Sequence, residues 1–151
     1  MKRILLMIMA ILLLSGCNNA KLDLKKVSSD LDGLTFEGNL MFKGEQVEIS
    51  YLEDKYGFDS SNIEEYAINI SASTTTASMY AIFLPKKGEK NEAKAAIEDF
   101  LEKYDQSWMM GYAPDQEILV QNRLEDEYSD YLIYIISNDN DLALETITKS
   151  E

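Results

Sequence analysis

Histidine is absent from this chain, cysteine occurs once, proline twice, and basic residues are few. Each scarcity closes a class of function. Without histidine there is no Ser-His or Cys-His catalytic pair and no His-ligated zinc or iron. The single thiol, Cys17, permits neither an intrachain disulfide nor a redox pair. Fourteen Lys and Arg face 27 Asp and Glu, a net charge of −13. Binding to a phosphate backbone rests on Lys and Arg, so no nucleic-acid partner is expected. No Pro-rich linker, low-complexity block or solenoid-period repeat interrupts the chain. What is present, 46% hydrophobic and 27% charged residues over 151 positions, is the profile of one globular domain.

The N-terminus carries an address. Lys2 and Arg3 precede an 11-residue apolar run, Ile4 to Leu14, too short for a membrane-spanning helix of about 20 residues. Its size and flanks are those of an export signal. Leu14-Ser15-Gly16-Cys17 resembles the bacterial lipobox, which implies a diacylglyceryl group on the Cys17 sulfur and cleavage just before it. The plainer reading is a secretory signal that happens to end in cysteine. The lipobox divides the chain into a signal peptide (1–16), a lipidated cysteine with a short tether (17–21) and a single α+β extracytoplasmic domain (22–151). Two acyl chains, palmitate for example, at about 0.8 kcal/mol per buried methylene, suffice for stable anchoring to the outer face of a bacterial cell membrane. Beyond this lipid no cofactor is expected.

Charge is uneven along the mature chain. Residues 18–26 hold three lysines against Asp23, whereas residues 27–151 hold nine basic and 26 acidic groups. Lysines beside an anchor favour an anionic surface, and an acidic body is repelled from it, so the domain is expected to stand off the bilayer.

Leu22, Leu24, Val27 and Leu31 predict a first helix stopped by Gly33. Residues 34–48 are ambiguous, and Ser50 is the expected cap of a short helix ended by Gly57. The alternation of Tyr66, Ile68, Ile70 and Ala72 predicts a half-buried strand, followed by MYAIFL (79–84), apolar on both faces. Ala93, Ile97, Phe100, Leu101, Tyr104 and Trp108 trace one face of a long helix. Residues 117–124 are expected to begin a second strand pair, with Glu125-Asp126-Glu127 as its link and YLIYIIS (131–137) as its central strand. Asn138 to Asp141 cap a last helix. The resulting fold class is α+β, an antiparallel sheet with helices on one face, ordered β-β-α-β-β-α behind an N-terminal helix.

Several motifs carry a resemblance: Glu64-Glu65-Tyr66 before the first strand, MYAIF, the charged helix AKAAIEDFLEKYDQS, Gly111 to Gln116, Gln121-Asn122, and the strand opening at Tyr131. From Glu64 to Ile147 the chain resembles a family of Gram-positive lipoproteins, domain of unknown function 4358. Members often have glycine before the last strand's tyrosine, where this chain has Ser129-Asp130. The resemblance implies an address and a fold and carries no mechanism.

The most suggestive patch is Tyr112 with Asn122 and Arg123. Arg123 is the only arginine left after processing, and it could clamp an anion with two parallel hydrogen bonds, oriented by the other two. The stronger reading is structural: Tyr112 packs on a helix end, Asn122 serves a turn and Arg123 pairs with Glu125 or Glu127. Asp139-Asn140-Asp141 with Glu145 invites a calcium reading, but Leu144 stands where the EF-hand needs glycine, and capping explains the run. No metal site is expected. Trp108, Met109 and Met110 form either a contact surface or core filling, the latter favoured by spacing. No Ser-x-x-Lys, Gly-x-Ser-x-Gly or phosphate-cradling glycine loop occurs. The expectation is a non-enzymatic module that binds an envelope protein or component. A small-solute binder and an acid-based envelope hydrolase are the alternatives.

Overall fold

A computed structural model describes residues 20–73, 75–108 and 113–150. Asp23 caps helix α1 (Leu24–Asp32) by accepting from the Lys25 and Lys26 amides, and Gly33 ends it. Next come three two-residue strands, β1 (Thr35–Phe36), β2 (Asn39–Leu40) and β3 (Glu45–Gln46). Helix α2 (Ile49–Tyr56) stops at Gly57, whose φ of 64° is the left-handed cap that glycine reaches without penalty. The residue before this helix is Glu48, so Ser50 lies inside it and is not the cap. Strands β4 (Ile63–Ile70) and β5 (Met79–Pro85), helices α3 (Lys90–Gln106) and α4 (Pro114–Gln121), strands β6 (Leu124–Tyr128) and β7 (Tyr131–Ile136), and helix α5 (Asn140–Thr148) complete the order.

Five strands form one antiparallel sheet, β3-β4-β5-β7-β6, and β1-β2 is a separate hairpin. The α+β class and the antiparallel sheet are as expected. The helices, however, cover both faces of the sheet. On one face Ile68, Ile70, Met79, Ala81, Phe83, Leu132, Tyr134 and Ile136 meet α2, α3 and α4. On the other, Ala67, Tyr80, Ile82, Ile133 and Ile135 meet α1 and α5. The physical reason is in β5 and β7, whose side chains are apolar on both pleats and need two covers.

Two further expectations are corrected. Residues 117–124 are mostly helix: Pro114 presets the first turn, and Asp115 and Glu117 there favour the helix dipole. Glu125-Asp126-Glu127 is the body of β6, not a link. An edge strand with one wet face tolerates these charges, and Arg123, Lys90 and Lys94 neutralise two of them.

The β6–β7 turn is Ser129-Asp130, with Tyr128 opposite Tyr131. Ser129 has a φ of 55°, the left-handed region, while Asp130 does not, the pattern of a type II′ hairpin turn that favours glycine first. Ser129→Gly should therefore stabilise the protein by about 0.5 kcal/mol, and Ser129→Ala should not. Paired melting curves of the two variants check this, and equal midpoints would refute it.

Candidate functional site

Asp32 is the last residue of α1, where the helix presents its negative end, an unfavourable place for a carboxylate. It is held there by three neutral donors. Asn69 Nδ2 (3.0 Å) and the Tyr80 hydroxyl (2.9 Å) donate to Oδ1, and Gln46 Nε2 (2.6 Å) donates to Oδ2. Tyr80 is fully buried and Asn69 is 3% exposed. Burial, with the Asp32 charge adding to it, pushes the Tyr80 phenol well above its ordinary range, so it remains a donor. Asn69 also reaches the Gly44 carbonyl at 3.4 Å, while its own Oδ1 has no partner among the described residues.

Of these groups Asp32 and Gln46 line an open groove of about 580 Å³ between α1 and the β3–β4 edge, with Asn69 and Tyr80 buried behind them. Leu24, Val47, Ala67 and Ile68 supply its apolar lining; Ser28, Asp32, Gln46, Glu48 and Tyr66 supply its polar lining. Glu48 repeats the Asp32 arrangement, accepting from the Tyr66 hydroxyl at 2.5 Å. That bond, with some burial, raises the Tyr66 phenol. Among the described residues neither Asp32 nor Glu48 forms an ion pair, as is true of most carboxylates of this acidic domain. The groove is thus an acidic, concave surface whose carboxylates are positioned by neutral donors, and Lys25 is the lysine on its rim. Its volume lies in the range of small-molecule sites.

Glycine makes this wall possible. A Cβ on Gly44 would stand 2.3 Å from the Ile70 carbonyl carbon and 2.5 Å from Asn69 Oδ1. Only a bare backbone passes so close to β4.

The residues singled out by sequence fall elsewhere. Cys17 and Tyr112, with Met109 and Met110, lie outside the described residues. Arg123 is clamped from two sides: Nη1 and Nη2 donate to Asp105 at 2.8 and 3.4 Å, and Nε donates to Glu125 at 3.1 Å. With 12% of its side chain exposed, it ties the last turn of α3 to β6. Asn122 is exposed, and its carbonyl accepts from Asn140 Nδ2 at 3.0 Å. Asn122 and Arg123 line different depressions, the first with Asn138 to Asp141, the second with Glu98, Leu101 and Asp105. Asp139 caps α5 through the Leu142 amide. Among the described residues no group of three or more Cys, Asp or Glu is placed to hold a metal. Trp108 is core, 7% exposed and edge-on to Tyr104 at 6.0 Å.

Sequence reasoning missed the groove because Asp32, Asn69 and Tyr80 are far apart in the chain. One signal was available: Asn69 lies beside a strand apolar on both faces, so its pleat had to be buried and its amide partnered.

Residues 38–137 match the family Domain of unknown function (DUF4358). No curated protein and no solved structure matches the chain. The matched stretch runs from the β1–β2 turn through β7 and includes Gly44, Glu48, Asn69 and Tyr80, whereas Asp32 precedes it. With about two-thirds of its length matched, the chain belongs to the Domain of unknown function (DUF4358) family.

Proposed function

We propose that the protein is a non-enzymatic binding module held at the outer face of the bacterial cell membrane by a diacylglyceryl group on Cys17. Its groove takes a ligand that bears an ammonium or guanidinium group, either a small solute or a basic side chain of an envelope component. The observation that carries this reading is the pair Asp32 and Glu48, both lining one groove and neither in an ion pair among the described residues. Neutral donors fix the carboxylates without cancelling their charge, so an entering cation meets acceptors already in position. The lipobox and the Lys2-Arg3 n-region support the anchor.

The test is a thermal-shift series on the purified protein with arginine, lysine and spermidine, and with glutamate and glucose as controls. A cationic ligand at 100 times its dissociation constant stabilises by about 2.7 kcal/mol, a rise of several degrees. Glu48→Gln, at an exposed position, should weaken that ligand about tenfold or more, the worth of one charge-assisted hydrogen bond. Equal shifts with glutamate, or no loss in Glu48→Gln, would sink the reading.

A further inference from the structure

The start of the described chain is pinned to one end of the sheet. Leu22 is 1% exposed in the core beneath β7. Its carbonyl accepts from the Tyr131 hydroxyl at 3.4 Å, and Lys21 Nζ lies 3.1 Å from Glu65. Tyr131 opens β7 and stands opposite Tyr128, while Glu65 stands opposite Leu84. The chain therefore enters at the end bounded by Ile63, Pro85 and the Ser129-Asp130 turn. The opposite end holds Ile70, Met79 and Ile136.

Lysines gather at that same end. Of the nine basic residues after position 26, Lys86, Lys87, Lys90 and Lys94 fall within one stretch of nine residues. Lys86, Lys87 and Lys90 line a depression there with Glu64, Pro85 and Asp130. Lys90 and Lys94 share Glu127, and these two ammonium groups hold its carboxyl below the usual carboxylate range. Among the described residues Lys86 and Lys87 form no ion pair; Lys86 donates to the Ser61 carbonyl at 2.5 Å. Acids stand among the lysines, including Glu89 and Glu92, so this end is close to neutral. The negative excess lies on the rest of the domain.

From these positions we propose that the lysine-bearing end is the membrane-facing surface, with Lys86 and Lys87 reaching the headgroups of an anionic bilayer. This rests on the reading of Cys17 as the lipid anchor. Five residue steps separate Cys17 from the buried Leu22, a reach of about 18 Å when fully extended. A tether this short holds whichever end it enters against the bilayer. The charge distribution selects the same end, because anionic lipid repels the acidic remainder and attracts the lysines within a Debye length. The expectation that the whole domain stands off the bilayer is thereby narrowed to its far end.

The experiment uses the full lipidated chain in vesicles of phosphatidylglycerol mixed with phosphatidylcholine, and in vesicles of phosphatidylcholine alone. A fluorophore is placed at Ser61→Cys, beside the lysine end, or at Asn138→Cys, at the far end, with a quencher on the lipid headgroups. The Ser61 label should be quenched several-fold more than the Asn138 label. That difference should shrink in Lys86→Glu/Lys87→Glu and on the neutral vesicles. Cys17→Ala should abolish vesicle association. If Cys17→Ala stays bound, the anchor reading fails and the orientation with it. If association needs Cys17 but both labels quench alike, or the charge reversals change nothing, the anchor stands and the proposed surface is overturned.

Discussion

Phe100→Ala is expected to lower stability by about 3–5 kcal/mol, the cost of removing a buried ring and leaving its cavity. Phe100 is fully buried at the centre of the α3 face. Its ring meets Tyr56 at 5.2 Å, Phe58 at 6.0 Å and Tyr104 at 6.3 Å, the first two edge-on. These contacts join α2, the segment before β4 and α3, so the cavity opens where three elements meet and no single one can close it. Against a total stability of about 5–15 kcal/mol the loss is a large fraction, and the melting midpoint should fall by about 10–15 °C. Ile118→Ala, at a side chain 53% exposed, should stay within about 0.5 kcal/mol. Thermal unfolding followed by circular dichroism measures both. A Phe100→Ala loss under about 1 kcal/mol would mean that α3 does not pack as described.

Gly44→Ala should have the largest effect on the groove. The new methyl would overlap the β4 backbone, with Ile70 at 2.3 Å and the Ile70 oxygen at 2.5 Å. Backbone cannot swing aside as a side chain does, so β3 must shift, at a cost of about 1–3 kcal/mol. With β3 moves Gln46, one of the three donors to Asp32, and the Gly44 carbonyl that receives Asn69. Any cation-dependent thermal shift should vanish in this variant, while the helical content of the α3 face is kept. Gly33→Ala is the control: its added methyl lies 3.6 Å from the nearest atom, in ordinary contact, at a negative φ. It should be near neutral and should retain the ligand response. A ligand shift that survives Gly44→Ala would detach the response from this groove.

What the sequence made legible follows from which interactions are local. Helix α1 shows in its apolar spacing and in Gly33, and α5 in Asp139, because caps and periodicity act within a few residues. The two-sided apolar pattern marked β7 as a central strand, and in β5 and β7 together it also contained the second helix layer, since two greasy pleats need two covers. Strand β6 was illegible. LEDEY reads as a solvated link until Arg123, Lys90 and Lys94 are known to stand beside it. The Asp32 cluster was hidden for the same reason: its partners lie 14 to 48 residues away and meet only when the sheet closes. Arg123 attracted attention for its rarity, but its carboxylate partners include Asp105, 18 residues upstream.

The strand order has a consequence for when the protein can fold. β7 is the last strand in the chain, yet it sits inside the sheet, paired with β5 on one side and β6 on the other. A nascent chain that stops short of Ile136 has β4 and β5 side by side, with one edge of β5 open, and β6 with nothing to lean on. Non-local pairing of this kind gives no reward until the final segment arrives. Synthesis must therefore reach Ile136 before the native sheet can close. Until then the unpaired edge of β5 needs shielding from other chains.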